Sequence, residues 1–425
     1  MENEYDLVII GASFEGLCLA HYFALNKKKV AIIESDSIKK ISDDDKSLIL
    51  SEKNVEVLKE FFNIRIPSKF IENSFKSFNL IFGDKEEMIE SESYLINEKQ
   101  FLFYLIGKII ELENVNFFEK TNFVDFIMDN KRIAGVKIKT PASEELKAKI
   151  IIDASESKSA ARSILKDNAY FSKFIDEKLK YPCYEALVEN IDVHGLNFII
   201  EPEKKDAGFF SIIPKNNGKA IMRLNLFDKI IDPEKYMREY LDKNFSACKI
   251  LKSKKEEYSI INPFFGFCYQ NFLLVGSSAF QLNPFLKEDA NLKLNACVSI
   301  CKELENSFSI PDIYTNDLWN YNISFMRKYG YKLNFFNEIK SLILNLSSQE
   351  IDYLFESGNL NEWVTKIFSN EINKYSLIMP LILKPSLMSK IMKFNYRIEK
   401  LKQSYSKYPE FDDFIVWKNG LKDLI

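Results

Sequence analysis

The chain has 425 residues, a net charge of -3 and 46% hydrophobic residues, the profile of a globular protein with a sizeable core and two or three domains. Six scattered cysteines without a CxxC pair, and only two histidines, exclude a disulfide scaffold, a histidine-based triad and a histidine-rich metal site. The basic clusters at 26–29 and 252–255 are too short to suggest a nucleic-acid partner, and no apolar run is long enough to span a bilayer. No signal peptide precedes the first strand, so a cytoplasmic location is expected.

The first 36 residues carry the densest signal. Tyr5 to Ile10 is an apolar run of strand formers, and Gly11-Ala12-Ser13-Phe14-Glu15-Gly16 follows at once. Leu17, Ala20, Phe23 and Ala24 then recur at helical spacing, and Val30 to Ile33 is a second apolar strand that ends at Glu34. Strand, tight turn, helix, strand and acid make the layout of a dinucleotide-binding βαβ unit. Gly11 lets the chain turn sharply, Gly16 lets the helix pack close to the sheet, and the helix N-terminus offers N–H groups and a positive dipole end to a pyrophosphate. Glu34 stands where a carboxylate can accept hydrogen bonds from a ribose. Ser13 replaces the middle glycine of G-x-G-x-x-G, and its hydroxyl could donate to a phosphate. A βα turn that binds nothing is the competing reading.

Residues 35 to 46 form a polar loop with an acidic tract at 43–45. A helix is expected over 54–62, strands over 75–82 and 87–89, and an amphipathic helix over 97–112 whose apolar face is Phe101, Leu102, Leu105, Ile106, Ile109 and Ile110. Val115 to Phe118 reads as another strand of the nucleotide-binding sheet, and residues 122 to 149 alternate as a meander. Ile150 to Asp153 is a buried strand ending in an acid, followed by a helix near 159–165. Residues 180 to 262 are rich in strands. Asn271 to Ala279 returns as a strand and a small-residue turn, feeding a helix over about 292–305, and the remainder is nearly all helical.

The expected fold class is α/β: a Rossmann-like FAD/NAD(P)-binding domain from 1–165 and 262–310, an inserted antiparallel β-sheet substrate domain at 166–261 that takes in part of 65–95, and a C-terminal helical region at 311–425. The tail segment 375–392 carries two prolines and interspersed lysines. It reads as a buried, kinked helix pair, with peripheral contact to a membrane surface as the alternative.

Four places resemble the geranylgeranyl reductases within the p-hydroxybenzoate-hydroxylase-like flavoproteins. They are the N-terminal βαβ unit with Glu34; Asp153-Ala-Ser-Glu-Ser-Lys-Ser159-Ala-Ala-Arg162, similar to D-A-S/T-G-x-x-S-x-x-R; Gly208-Phe-Phe-Ser-Ile-Ile-Pro214 with 217–221, similar to a hairpin lining the isoprenoid pocket; and Val275-Gly276-Ser277 through Pro284, similar to V-G-D-A-A-G-x-x-x-P. The resemblance implies FAD as cofactor. It would be held by Gly11, Ala12, Ser13, Glu15, Gly16, Glu34, Phe123, Asp153, Gly276, Ser277, Pro284, Asp289 and Ala290. It also implies an isoprenoid or other apolar substrate against Phe209, Phe210, Ile212 and Pro214, for which plain sheet core is the competing reading. No metal site is implied, and neither catalytic residues nor an electron donor are assigned. Tyrosines and Cys268 are candidate proton donors.

Several positions depart from the family pattern, and they cluster where FAD should lie. Ser277 stands for an aspartate, Phe280 for a glycine, Glu156 for a glycine and Asn97-Glu98 for Asp-Arg. Lys287 to Ala290 stands for a glycine-rich turn. Losing one charged hydrogen bond costs on the order of 1.5–3 kcal/mol, so several together could weaken cofactor binding severely. The leading function is an FAD-dependent oxidoreductase that reduces carbon–carbon double bonds of isoprenoid lipid chains. The alternative is a cofactor-poor or cofactor-free paralogue acting as a lipid-binding or scaffold protein. A flavin monooxygenase of aromatic substrates is a third reading, disfavoured by the missing glycine turn.

Overall fold

The computed structural model describes residues 4–41, 47–140, 143–155, 159–165, 180–202, 208–227, 232–259, 264–282, 290–357 and 384–421. The opening unit forms as its pattern predicts: strand β1 (Glu4–Ile10), helix α1 (Phe14–Leu25) and strand β2 (Val30–Ile33). Leu7, Val8 and Ile9 are fully buried because β1 lies inside a parallel sheet whose faces are both covered. β1 pairs in parallel with β2 on one side, Leu7 opposite Val30, and with the end of strand Ser143–Asp153 on the other, Ile10 opposite Asp153. Val115–Phe118 adds outside β2, and Phe272–Leu274 adds outside Ser143–Asp153. Segments more than 100 residues apart in sequence therefore end side by side at one edge of the sheet. Strands Asn122–Asp129 and Arg132–Lys139 extend it as the expected antiparallel meander.

A second sheet of eight strands holds Ser47–Ser51, Ile71–Phe82 and Lys85–Asn97 together with strands from Lys180 to Ser259. It is antiparallel except where Leu196–Ile200 joins Ile71–Phe82 in parallel. Ser47–Ser51 lies between the expected polar loop and the expected helix, where no strand was read; its Leu48 and Leu50 are buried, and it pairs with Leu95 and its neighbours. The hairpin of 71–97 is longer than the short runs at 75–82 and 87–89 suggested. Its outer half is rich in exposed glutamates, which dilute the apolar alternation.

After the third parallel segment comes helix Ala290–Ser307, and the described remainder is helical. These helices share one hydrophobic core with the first sheet: Trp319, Tyr321, Tyr405 and Tyr408 are buried in the cluster that contains Leu7 and Ile151. In the C-terminal helix Pro385–Ser406, Leu387 and Ile391 are buried while Met392 and Tyr396 are exposed. That part of the tail is a packed helix; residues 375–383 lie outside the described residues. Among the described residues no helix is long and apolar enough to cross a membrane.

Glu350 anchors this C-terminal helix. Lys390 sits 2.7 Å from its carboxylate, and Ser386 and Ser347 also donate to it. Burial alone would raise its pKa, yet the lysine and the hydroxyl and N–H donors hold it at about 2. A depressed folded pKa means stability that is present above the unfolded carboxylate pKa and lost as pH falls through the folded one. Urea unfolding between pH 5 and pH 2 is therefore expected to lose roughly 3 kcal/mol through this residue. Glu350→Gln should flatten that part of the profile; an unchanged slope would show that Glu350 is not the group responsible.

Candidate functional site

The site lies at the carboxyl edge of the first sheet, where β1, β2, Ser143–Asp153 and Phe272–Leu274 end together, the position that α/β sheets use for ligands. Gly11 leaves β1 with φ +99. A Cβ there would stand 2.8 Å from the carbonyl oxygen of Ala154 and the Cα of Ser155. A Cβ on Gly16 would stand 2.5 Å from the Gly11 carbonyl oxygen. Both glycines are required by close backbone approach.

Ser13 opens α1. It is the N-cap, and its Oγ accepts the N–H of Gly16 at 3.2 Å. The serine that replaces a glycine thus satisfies one of the helix's free donors by itself. Glu34 lies at the tip of β2. Its carboxylate accepts the N–H of Ala12 at 2.8 Å and the N–H of Asp36 at 2.8 Å, and the hydroxyl of Ser35 donates to it at 3.2 Å. It is thereby locked in place beside the turn with lone pairs left for a ribose. Thr121 donates its N–H to the Glu34 carbonyl, so Phe123 follows close to the same strand end, where its ring packs 5.2 Å from Phe126.

Asp153 is fully buried and serves as a hub. Its carboxylate accepts the Ser155 N–H at 2.9 Å, the Ser155 hydroxyl at 2.6 Å and the Ser159 hydroxyl. Its carbonyl accepts the Val275 N–H and the Ser278 hydroxyl, joining the second motif to the fourth. Burial raises its pKa, while the serines and Arg162 pull it back. Arg162 donates to the Ser278 carbonyl and lies over the rings of Phe264 and Phe280, 5.2 and 4.5 Å from their centroids. Its pKa is lowered to about 10, chiefly by burial. Phe280 itself has φ +53. That is the left-handed region which favours glycine, and the ring at this position covers Arg162.

Gly276, at φ +67, sits against Glu15: a side chain at 276 would overlap the Glu15 carboxylate. Glu15 is 1% exposed, its Oε1 accepts the Ser277 N–H at 3.2 Å, and Lys293 stands 3.6 Å away. Nothing in the local sequence pattern marked Lys293. It reaches Glu15 because Ala290–Ser307 begins beside α1. Ala290 opens that helix, whereas Pro284, Lys287 to Asp289 and Glu156 lie outside the described residues. Asn97 caps the helix Glu98–Ile110 through the Gln100 N–H.

The substrate set separates into two faces. Phe210 stacks on Tyr240 at 4.1 Å and meets Tyr236 at 5.1 Å under helix Pro233–Asn244, and Ile212 is buried in the same cluster. Strand alternation puts Pro214 on their side. Phe210 and Ile212 thus pack in sheet core beneath that helix, the competing reading given for them. Phe209 points to the opposite face, 6.0 Å from Phe227. Cys268 is likewise corrected as a proton donor: it is fully buried, Asn322 donates to its sulfur, and burial pushes its thiol up. His21 is structural, its Nδ1 3.1 Å from the Phe62 carbonyl oxygen. No metal-holding cluster occurs among the described residues.

No known family profile matches the chain. A digeranylgeranylglycerophospholipid reductase of Sulfolobus acidocaldarius is 21% identical over 430 residues, covering 96% of this chain and 94% of that protein. The chain is thus similar to that reductase along almost its whole length. Among solved structures, a geranylgeranyl bacteriochlorophyll reductase-like protein of Thermoplasma acidophilum superposes with a TM-score of 0.72 at 15% identity, covering 99% of each chain. The flavin-dependent brominase Bmp2 gives 0.71 at 13% identity, covering 93% of this chain and all of that one. At such identities the structures establish the fold. It is the α/β fold of flavin-dependent reductases and halogenases, with a Rossmann-like dinucleotide domain.

The residues fit a dinucleotide on the adenosine side. The turn glycines pack against backbone as a close phosphate approach demands, and Glu34 is braced beside them. Near Ser277, the buried carboxylate oxygen Glu15 Oε2 has no hydrogen-bond partner among the described residues.

Proposed function

We propose that this protein is an FAD-dependent reductase of carbon–carbon double bonds in isoprenoid lipid chains. The observation that carries the reading is the match to a digeranylgeranylglycerophospholipid reductase along almost the whole of both chains. The dinucleotide edge of the first sheet supports it. The cofactor-free scaffold reading finds no support among the relatives.

The N–H groups of Ser13 and Phe14 would face the cofactor phosphates, since those of Gly11 and Ala12 go to the Ile33 carbonyl and the Glu34 carboxylate; Glu34 would take ribose hydroxyls, and Gly276 and Ser277 would close the seat from the third segment. Bound FAD, once reduced by an external two-electron donor, would supply a hydride from its N5 to one carbon of the double bond, with a proton completing the other carbon. The protein's part is then to hold the lipid and keep water out. The second sheet offers a face for this. Phe78, Phe198, Phe209 and Ile213 fall on one side by strand pairing, with Phe78 and Phe198 only half-buried and their rings 5.7 Å apart. An apolar chain laid there would meet aromatic surface and no charged head among these four.

The reading is tested by incubating FAD-loaded protein with a geranylgeranyl phospholipid and dithionite, then weighing the lipid by mass spectrometry. Addition of two hydrogens per double bond is the expected result. Unchanged lipid beside a fully reduced, protein-bound flavin would refute it.

A further inference from the structure

We infer that Glu15 is a resident anion in the pyrophosphate seat and that its charge sets how tightly this protein holds FAD. The inference rests on the FAD reading above and specifies one residue of the same site. Three groups that attract an anion converge there: the first-turn N–H groups of α1, the N–H of Ser277 and the ammonium group of Lys293. In this chain the anion they meet is built in.

Glu15 occupies the second position of α1, and its side chain crosses to the third segment of the sheet. Oε1 accepts the Ser277 N–H at 3.2 Å and lies 3.6 Å from Lys293 Nζ; Oε2 is buried with no hydrogen-bond partner among the described residues. The crossing is possible because position 276 is a glycine. A carboxylate that is 1% exposed and only half satisfied is costly, and the helix end and the lysine offset that cost. They are the same groups that would otherwise offset a diphosphate. Pyrophosphate approaching the Ser277 N–H therefore meets a like charge a few ångströms away. Lys293 is divided between the two anions. FAD is held loosely and exchanges with free cofactor, whereas the uncharged adenosine end is unaffected.

The test is a pair of titrations on the full-length apoprotein. Glu15→Gln keeps the side-chain length and an oxygen for the Ser277 N–H but removes the charge. FAD binding, read by quenching of flavin fluorescence, should tighten on the order of tenfold or more, the ratio expected when one unit charge is removed at this range. Adenosine binding, read by calorimetry, should be unchanged. Equal FAD affinity for the two proteins overturns the inference, absence of binding in both included. So does an equal gain for adenosine and FAD, which would report general tightening of the fold. If the variant does not fold by circular dichroism, Lys293→Gln decides: it should weaken FAD binding without changing adenosine binding, and no change in FAD affinity overturns the inference. Failure of the FAD reading leaves a different mark, namely FAD bound tightly by Glu15→Gln with no reduction of the lipid.

Discussion

Gly11→Ala is expected to abolish retention of FAD and to lower the free energy of unfolding by about 2–5 kcal/mol. Two effects add. At φ +99 an L side chain is strained by its own backbone. The new methyl would also stand 2.8 Å from the Ala154 carbonyl oxygen and the Ser155 Cα. Those are backbone atoms at the end of Ser143–Asp153, paired to β1, and they cannot step aside as a flexible side chain would. Relief requires opening the junction where the first two motifs meet, and the phosphate approach opens with it. A second glycine supplies the contrast. Gly107 lies in helix Glu98–Ile110 with nothing within 4 Å of its would-be Cβ. Gly107→Ala should stabilise by up to about 1 kcal/mol, because alanine loses less chain entropy in a helix. Urea unfolding of the two variants should move in opposite directions. A Gly11→Ala protein as stable as the parent would mean that the turn is not the close contact described.

Asp153→Ala is expected to cost about 3 kcal/mol of stability, with Asp153→Asn costing less. Removing the carboxylate relieves an unfavourable burial, which raises its pKa. The losses outweigh that gain. The N–H and hydroxyl of Ser155 and the hydroxyl of Ser159 all lose their acceptor in the interior. Ser159 caps the helix Ala160–Ile164, so Arg162 shifts too, and it loses the negative charge that faces it. Asparagine keeps one oxygen as acceptor and so preserves part of the network. Thermal unfolding followed by circular dichroism ranks the three proteins. A variant order with asparagine below alanine would show that the charge, and not the acceptor oxygens, holds the hub.

Local pattern carried most of the fold. Continuous apolar runs in β1 and β2, helical periodicity in α1 and the glycines between them are properties of adjacent residues, and each formed where expected. The same logic failed for the hairpin of 71–97, where bulges and exposed glutamates break the alternation. The site was legible as a set of positions but not as a set of contacts. The hydroxyl of Ser13 was legible as a polar group at the turn, but not its role as N-cap, in which its oxygen accepts the Gly16 N–H and its own O–H is left to donate. Glu15 was counted with the turn, yet its partners lie 262 and 278 residues away, beyond any local pattern. Phe280 looked like the loss of a glycine. The backbone there is left-handed and the ring lies against Arg162, a contact only the assembled segments create. Phe210 and Ile212 could not be told from pocket residues by sequence, because a strand buried on both faces hides which face a helix covers.

In the proposed function the βαβ edge takes up FAD, and the reduced flavin passes its electrons to an isoprenoid double bond. The most direct test of that function is a stopped-flow experiment on apoprotein loaded with excess FAD, freed of unbound cofactor by a rapid desalting step and reduced anaerobically. Mixed with a geranylgeranyl phospholipid, the bleached flavin should regain its yellow absorbance, in proportion to the lipid added and without oxygen. The saturated phytanyl lipid should leave it bleached. Flavin that stays reduced with both lipids, or that never associates with the protein, would contradict the account.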